Sequence, residues 1–222
     1  MSKSGQGAPD LAVDKASALA LVSVSRETEA RLDVFVDVLM RWQSKLNLVA
    51  PSTLPELWTR HVADSLQLLA LAPEARVWAD FGSGGGFPGL PIACALAGVG
   101  GAKIHLVESN GKKAAFLRAA VKATAVPGIV HHMRVEKFGE SCAETIQVVT
   151  ARAVAPLKTL CVQAFPFISA GAIGLFPKGQ DVAAELTDAA KYWRLKASRV
   201  PSRTSPDGSI IVIRALESLR ES

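Results

Sequence analysis

A glycine-rich segment at residues 80–89 constrains the fold of this 222-residue chain more than any other feature. It reads DFGSGGGFPG and lies between an apolar run, residues 77–81, and a stretch with helical spacing, residues 90–97. Glycine lets a backbone turn sharply and approach a ligand closely because it carries no Cβ. The loop between a strand and a helix borders the ligand crevice of an open α/β sheet. Four glycines within five residues exceed the needs of a turn, so the segment predicts a cofactor-binding loop.

The rest of the chain after Pro73 alternates between short apolar runs and helical stretches, which predicts parallel strands joined by crossover helices. The fold class expected is therefore α/β, a doubly wound, mostly parallel, Rossmann-like sheet. Two further runs, residues 195–200 and 209–214, flank the turn sequence Pro-Asp-Gly at 206–208 and predict an antiparallel hairpin at the sheet edge. The expected strands are residues 77–81, 103–108, 129–133, 146–150 and 173–176, and the expected helices are residues 56–69, 90–97, 112–124, 157–167 and 182–193.

Three segments are expected along the chain. Residues 1–10 are polar and lack the apolar core of a signal peptide, so we expect a disordered tail. Residues 11–72 carry apolar side chains at spacings of three and four, with a plausible N-cap at Ser25, and predict an N-terminal helical cap. Residues 73–222 then form the Rossmann-like domain.

Composition limits the functional classes. The chain has 25 Lys and Arg against 20 Asp and Glu, a net charge of +5, which favours a polyanionic partner without identifying one. Cys94, Cys142 and Cys161 are widely spaced and form no CxxC pair, so they predict neither a disulfide framework nor a metal site. No apolar run reaches the length of a membrane-spanning helix. We expect a cytoplasmic monomer that binds no metal and no membrane.

The glycine loop must be assigned to a class of cofactor. Gly84, Gly86 and Gly89 satisfy GxGxxG, the motif of NAD(P)-dependent oxidoreductases, in which free backbone N–H groups bind a pyrophosphate. Here Pro88 and Pro91 remove two of those donors from the first helical turn. No GK[ST] sequence is present, which excludes a P-loop. S-adenosylmethionine, which carries a sulfonium, an amino-acid end and an adenosine but no phosphate, fits the loop better.

Two more positions are expected beside the loop. Glu108 closes the second strand, 22 residues after Gly86, where a carboxylate can accept hydrogen bonds from ribose hydroxyls. Val135 and Glu136 follow the third strand, where a doubly wound fold predicts adenine contacts.

Six sequence segments occur in order across most of the chain, and together they carry a resemblance. They are RWQSKLNL at 41–48, RHVADSL at 60–66, the glycine loop, LVES at 106–109 followed by GKK at 111–113, TARAV at 150–154 and FPKG at 176–179. With these segments the chain closely resembles the bacterial 16S rRNA guanine-N7 methyltransferase family, also called glucose-inhibited division protein B. Many methyltransferases share the glycine loop, whereas the combination of KLNL, RHxxDSL and ARAV is specific. The resemblance implies methyl transfer from S-adenosylmethionine to N7 of a guanine in 16S rRNA of the small ribosomal subunit, near the decoding centre.

The resemblance also implies roles for individual residues. Guanine N7 has a lone pair and no proton, so methylation there needs no general base, and positioning of the reactants should dominate. Arg152, in TARAV after the fourth strand, is the residue we expect to position cofactor or base; no NPPY-type loop stands there. The expected cofactor contacts are Gly82, Phe87, Val135, Glu136 and Arg152 from the resemblance, with Gly84, Gly86 and Glu108 from the loop and sheet arguments.

The basic residues give candidate RNA contacts. Lys112, Lys113 and Arg118 are grouped beside the cofactor loop, and Lys178 follows the fifth strand; such cations bind phosphates and position RNA without reading its sequence. Alternatives remain, namely a methyltransferase acting on another RNA or on a small molecule, and a noncatalytic RNA-binding protein that retains the fold. A hydrolase triad of His61, Asp64 and Ser65 is disfavoured because one helical turn provides no oxyanion hole.

Overall fold

The computed structural model describes residues 11–219, so the tail predicted at residues 1–10 lies outside the described residues. A seven-stranded sheet with strand order β3-β2-β1-β4-β5-β7-β6 forms the centre. Strands β1 to β5 are parallel, and β7 pairs antiparallel with both β5 and β6. The doubly wound α/β class and the C-terminal hairpin are thereby confirmed. The strands are β1 Val77–Phe81, β2 Lys103–Glu108, β3 Gly128–His132, β4 Val148–Ala151, β5 Ile173–Lys178, β6 Trp193–Pro201 and β7 Ser209–Ser218.

Helices precede and connect these strands. Ser25 caps α2, since its side chain accepts a hydrogen bond from the Thr28 backbone N–H, as the sequence predicts. The helix predicted to run to Trp193 ends at Ala189, because Trp193 instead begins β6 and packs its ring 5.2 Å from that of Phe165. The helices are α1 Leu11–Leu21, α2 Arg26–Gln43, α3 Asp64–Leu66, α4 Gly89–Ala95, α5 Gly111–Thr124, α6 Val135–Ser141, α7 Leu157–Ser169 and α8 Val182–Ala189.

The predicted helix at 56–69 is replaced by a succession of short helical turns. A 3₁₀ turn at Pro51–Glu56 is followed by a π-helical turn at Trp58–Ala63, the α turn α3 and a second 3₁₀ turn at Gln67–Leu71. The carboxylate of Asp14 in α1 accepts the Trp58 backbone N–H at 2.7 Å, so a distant residue caps the π turn. Such π turns are frequent at functional sites.

Two hydrophobic cores cover the two faces of the sheet. On one face Phe35 and Leu39 of α2 pack in the same cluster as Trp78 of β1 and Phe116 of α5, and all four are fully buried. The predicted boundary between the helical cap and the Rossmann-like domain, at residues 72 and 73, stays a prediction. This core contains residues from both sides of that boundary. On the other face, β1, β4, α6 and α7 contribute to a second cluster, which includes Phe81, Val149, Phe138, Leu160 and Phe167.

The parallel register places the carboxyl ends of β1, β2 and β4 next to each other. Phe81, the last residue of β1, pairs with Val107 of β2 and with Ala151 of β4. The glycine loop, Glu108 and Arg152 therefore emerge side by side. Between residues 11 and 219, no helix is long and apolar enough to cross a membrane, and no group of three or more His, Cys, Asp or Glu side chains could hold a metal ion.

Candidate cofactor and acceptor site

The glycine loop is built from left-handed backbone conformations. Gly82, Gly84 and Gly86 have φ values of +63°, +49° and +88°, which side chains with a Cβ rarely adopt. Glu108 holds the loop, because its Oε2 accepts the Gly84 N–H at 2.9 Å while its Oε1 accepts the Asn110 N–H at 2.7 Å. The β2 carboxylate thus joins the loop to the start of α5.

The loop is also closely packed between other parts of the chain. A Cβ on Gly82 would lie 2.6 Å from Val154, in the segment after β4, and one on Gly85 would lie 2.8 Å from the Leu48 carbonyl oxygen. A Cβ on Gly84, in contrast, would meet no atom closer than 3.5 Å. Glycine is therefore needed at Gly82 and Gly85 for close approach, whereas Gly84 leaves open space.

That open space belongs to a cavity of about 490 Å³, within the range of about 300–1,000 Å³ typical of small-molecule sites. Five of the predicted cofactor residues line it: Gly82, Gly84, Phe87, Glu108 and Arg152. Glycines of the loop and the Glu108 carboxylate line the same cavity, an arrangement that suits a cofactor without phosphates. Its remaining walls come from Leu48, Val49, Ala50, Thr53, His61, Ser83, Gly85, Lys113, Ala153 and Val154.

Three predicted cofactor residues lie outside these walls. Gly86 is packed against the Leu90 side chain, which its Cβ would approach to 2.5 Å, so its visible role is in the turn itself. Val135 is buried at the start of α6. The carboxylate of Glu136 accepts a hydrogen bond from Gln163 at 2.9 Å, which lowers its pKa below the ordinary value. Contacts of these three residues with a cofactor stay predictions.

A buried carboxyl lies under the loop. The Oδ2 of Asp80, near the carboxyl end of β1, accepts the Gly89 N–H at 3.1 Å. Its Oδ1 is buried and makes no hydrogen bond within residues 11–219. Burial raises the pKa of Asp80 to about 7. From the sequence, Asp80 is only the start of the loop, since nothing local indicates that one of its carboxylate oxygens is left unpaired.

Arg152 occupies the predicted position after β4 and is held from several sides. Its guanidinium donates to the Arg60 carbonyl oxygen at 2.9 Å and to His61 Nδ1 at 2.5 Å. It also lies 3.6 Å from the Asp64 carboxylate and 5.2 Å from the centre of the Phe87 ring. The side chain is 18% exposed. A guanidinium fixed by that many contacts is suited to orienting a ligand.

His61 is neutral and its tautomer follows from its partners. Burial, with the nearby charges of Arg152 and Arg60, lowers the pKa of His61 to about 3. Since Nδ1 accepts from Arg152, Nε2 carries the proton and donates to Thr53 Oγ1 at 2.8 Å. Thr53 Oγ1 in turn donates to the Ala50 carbonyl oxygen at 2.8 Å. This relay fixes Arg152, and Thr53, a residue that sequence reasoning missed, is part of it.

The same contacts decide against a hydrolase triad. Ser65 is fully buried and its hydroxyl donates to the His61 backbone oxygen. Asp64 accepts hydrogen bonds from Gln67 and Thr204 at 2.7 and 2.8 Å. Ser65 therefore makes no hydrogen bond to the His61 ring, and the serine–histidine contact of a triad is absent among these residues.

A second cavity, of about 560 Å³, adjoins the first. The two share a wall formed by Thr53, His61, Arg152, Ala153 and Val154. Ala153 in this wall has a φ of +55°, and backbone strain of this kind concentrates at ligand-binding and catalytic sites. The other lining residues are Arg60, Asp64, Ala155, Pro156, Pro177, Lys178, Gly179, Glu185, Ser202, Thr204, Ser205, Gly208, Ser209 and Ile210.

The predicted RNA contacts fall in two places. Lys112 and Arg118 are exposed on α5, and Lys113 reaches the wall of the first cavity. None of these three forms an ion pair with another of the residues described. Lys178, in contrast, is only 11% exposed, lines the second cavity and pairs with Glu185 at 2.7 Å.

Comparison with solved structures shows the fold class. The O-methyltransferase TomG from Streptomyces achromogenes, solved in complex with SAM, superposes with a TM-score of 0.60 at 11% identity, covering 90% of this chain and 95% of TomG. An O-methyltransferase from Bacillus cereus, solved in complex with SAH, gives a TM-score of 0.56 at 15% identity over 91% of this chain and 96% of that one.

Sequence comparison shows the family. The family model GidB, described as rRNA small subunit methyltransferase G, matches residues 28–209. Ribosomal RNA small subunit methyltransferase G of Nitrobacter hamburgensis is 58% identical over 209 residues, 94% of this chain and 80% of that protein. Its namesake from Bradyrhizobium sp. strain BTAi1 is 56% identical over 207 residues, 93% of each chain. The chain belongs to the GidB family, the rRNA small subunit methyltransferases G.

Proposed function

We propose that this chain transfers the methyl group of S-adenosylmethionine to N7 of a specific guanine in 16S rRNA of the small ribosomal subunit, near the decoding centre. The observation that carries the proposal is the pair of adjoining cavities with Arg152 in the wall between them. One cavity has a glycine cradle for the methyl donor, and the other has room for an acceptor base. Family membership supplies the substrate class.

The residues present fit the proposed cofactor. Gly82, Gly84 and Phe87 line the cradle, and Gly86 gives the loop its turn. Glu108 is already bound to two backbone N–H groups, but each carboxylate oxygen accepts more than one hydrogen bond, which leaves capacity for ribose hydroxyls. Val135 and Glu136 follow β3, the strand that pairs with β2, and would contact the adenine from there.

The bound cofactor supplies an electrophilic methyl group, and the chain supplies position. Guanine N7 has no proton to lose, so no residue has to act as a base. His61 stays neutral and accepts from Arg152, which holds the guanidinium in the wall between the two cavities. Arg152 has further N–H groups beyond those bound to Arg60 and His61, and these can orient the acceptor guanine. Holding reactants in a near-attack geometry can supply several kcal/mol.

Binding of the RNA itself is assigned to cations around the crevice. Lys112, Lys113 and Arg118 contact phosphates from the side of α5, and Lys178 meets the acceptor inside the second cavity. Such contacts position the RNA. The enzyme acts as a monomer in the cytoplasm, where its rRNA substrate is made, and it uses no metal.

The test is methyl transfer from labelled S-adenosylmethionine to small subunits that lack N7 methylation, mapped by chain cleavage at 7-methylguanine. Cleavage at one guanine near the decoding centre is expected, and fully methylated subunits serve as the control. Label at another base, in another RNA or in a small molecule would overturn the acceptor assignment. Failure on subunits, assembly intermediates and free rRNA would favour a noncatalytic RNA-binding role.

A further inference from the structure

An ion pair in the second cavity offers hydrogen-bonding groups suited to the recognition of a base. Lys178 is the last residue of β5 and Glu185 lies in the first turn of α8. Their side chains are 11% and 28% exposed, and both line the cavity that adjoins the cofactor site. We propose that this pair recognises the Watson–Crick edge of the acceptor guanine. The inference rests on the proposed function, and it identifies the residues that distinguish guanine from other bases.

The hydrogen bonds of Lys178 leave one proton available. Its ammonium donates to the Ala155 carbonyl oxygen at 2.8 Å and to Glu185 Oε2 at 2.7 Å. A lysine ammonium has three N–H donors. The third is unassigned among residues 11–219, and because the side chain lines the cavity it is available to a ligand.

The hydrogen bonds of Glu185 leave one oxygen available. Oε2 accepts both the Lys178 ammonium and the Leu157 backbone N–H, the latter at 2.6 Å. Oε1 has no hydrogen-bond partner in the part of the chain that the structure describes. The pair therefore presents a donor beside an acceptor, and both are held in place by bonds to the start of α7 and to the segment before it.

Guanine is complementary to this arrangement. Its Watson–Crick edge carries the O6 acceptor next to the N1–H and N2–H donors, so O6 can accept from Lys178 while Glu185 Oε1 accepts from N1–H and N2–H. Adenine presents the reverse order, with the N6 amino donor beside the N1 acceptor. It would therefore place a donor against Lys178 and an acceptor against Glu185. Apolar side chains of Val154, Pro156 and Ile210 line the same cavity and can pack on the base. The base must leave its stack to enter, as bases do in enzymes that modify them.

The experiment compares unsubstituted 16S rRNA with RNA that carries inosine at the target position, joined by ligation and assembled into subunits. Inosine keeps O6, N1–H and N7 but lacks the N2 amino group. The wild-type enzyme should lose about 5- to 150-fold in kcat/KM on inosine. Glu185→Gln, which keeps an oxygen for the Leu157 N–H but presents an amide N–H to the base, should slow guanine methylation about tenfold or more and reduce the guanine preference to about twofold.

Controls separate recognition from damage to the fold. Asp188→Asn changes another acid of α8, which pairs with Lys191 and lines neither cavity, and should keep the wild-type preference. Each variant should bind S-adenosylmethionine as the wild type does. Equal rates of the wild type on guanine and inosine, or a full guanine preference in Glu185→Gln, would overturn the inference. Absence of 7-methylguanine in unsubstituted RNA would contradict the proposed function itself, so the two failures are distinguishable.

Discussion

Replacing Gly84 with valine should weaken cofactor binding while leaving the fold intact. A Cβ at this position meets only the Gly82 oxygen at 3.5 Å and Glu108 Oε2 at 4.0 Å, so the larger side chain extends into the first cavity rather than into the protein. When the cofactor fills this cavity, an additional side chain overpacks it, which costs about 1–3 kcal/mol. That range corresponds to a dissociation constant for S-adenosylmethionine raised about 5- to 150-fold.

The backbone contributes separately, and a matched variant isolates it. Gly84 has a φ of +49°, so any L residue there is strained by about 1–2 kcal/mol. Gly98, in the turn after α4, has a φ of +89° and no atom within 4 Å of an added Cβ. Gly98→Val should therefore lose a similar free energy of unfolding and keep full cofactor affinity.

Calorimetric titration with S-adenosylmethionine, together with urea unfolding, measures both effects. A loss of affinity is expected in Gly84→Val and none in Gly98→Val. Equal affinities in the two variants would refute the placement of the cofactor against the glycine loop. A collapse of stability in Gly84→Val alone would refute the argument that its side chain points into open space.

Arg152→Lys, which cannot reach all of the partners of the guanidinium, should lower the single-turnover methylation rate about hundredfold, and an unchanged rate would exclude a positioning role. His61→Gln should remove a pH dependence of the free energy of unfolding. In the wild type, His61 takes up a proton at about pH 6.5 when the chain is unfolded and only at about pH 3 when it is folded. Urea unfolding should therefore show that the stability of the wild type relative to the variant falls by about 2 kcal/mol between pH 7 and pH 5. Arg118→Ala should weaken RNA binding and reduce its log-log salt slope by about one while sparing cofactor affinity, both by titration. Ser25→Ala should lower the free energy of unfolding by about 1 kcal/mol through loss of the α2 cap.

Much of the fold is predictable because its signals are local. The apolar runs at β1 and β2 match the observed strands residue for residue, and the helix predicted at 157–167 differs from α7 by two residues at its end. The predictions are wrong where contacts with distant residues determine the backbone conformation. Apolar spacing of three and four residues does not separate α, 3₁₀ and π turns, and the π turn at Trp58–Ala63 is capped by Asp14 from α1.

The site shows the same division. Gly84 and Arg152 follow strands and Glu108 ends one, so their common position at the carboxyl ends of the strands could be predicted from the sequence. The contact between Arg152 and His61 joins residues 91 positions apart, and no local pattern indicates it. Thr53 was missed for the same reason, since its role depends on a hydrogen bond to the His61 ring.

The location of the cofactor is the central claim, and a crystal structure with S-adenosylhomocysteine tests it most directly. The nucleoside is expected in the cavity bordered by Gly84 and Glu108, with the sulfur atom facing the wall at Arg152 and the second cavity left open for the base. Density for the ligand in the cavity of Lys178 and Glu185, or away from the glycine loop altogether, would contradict it.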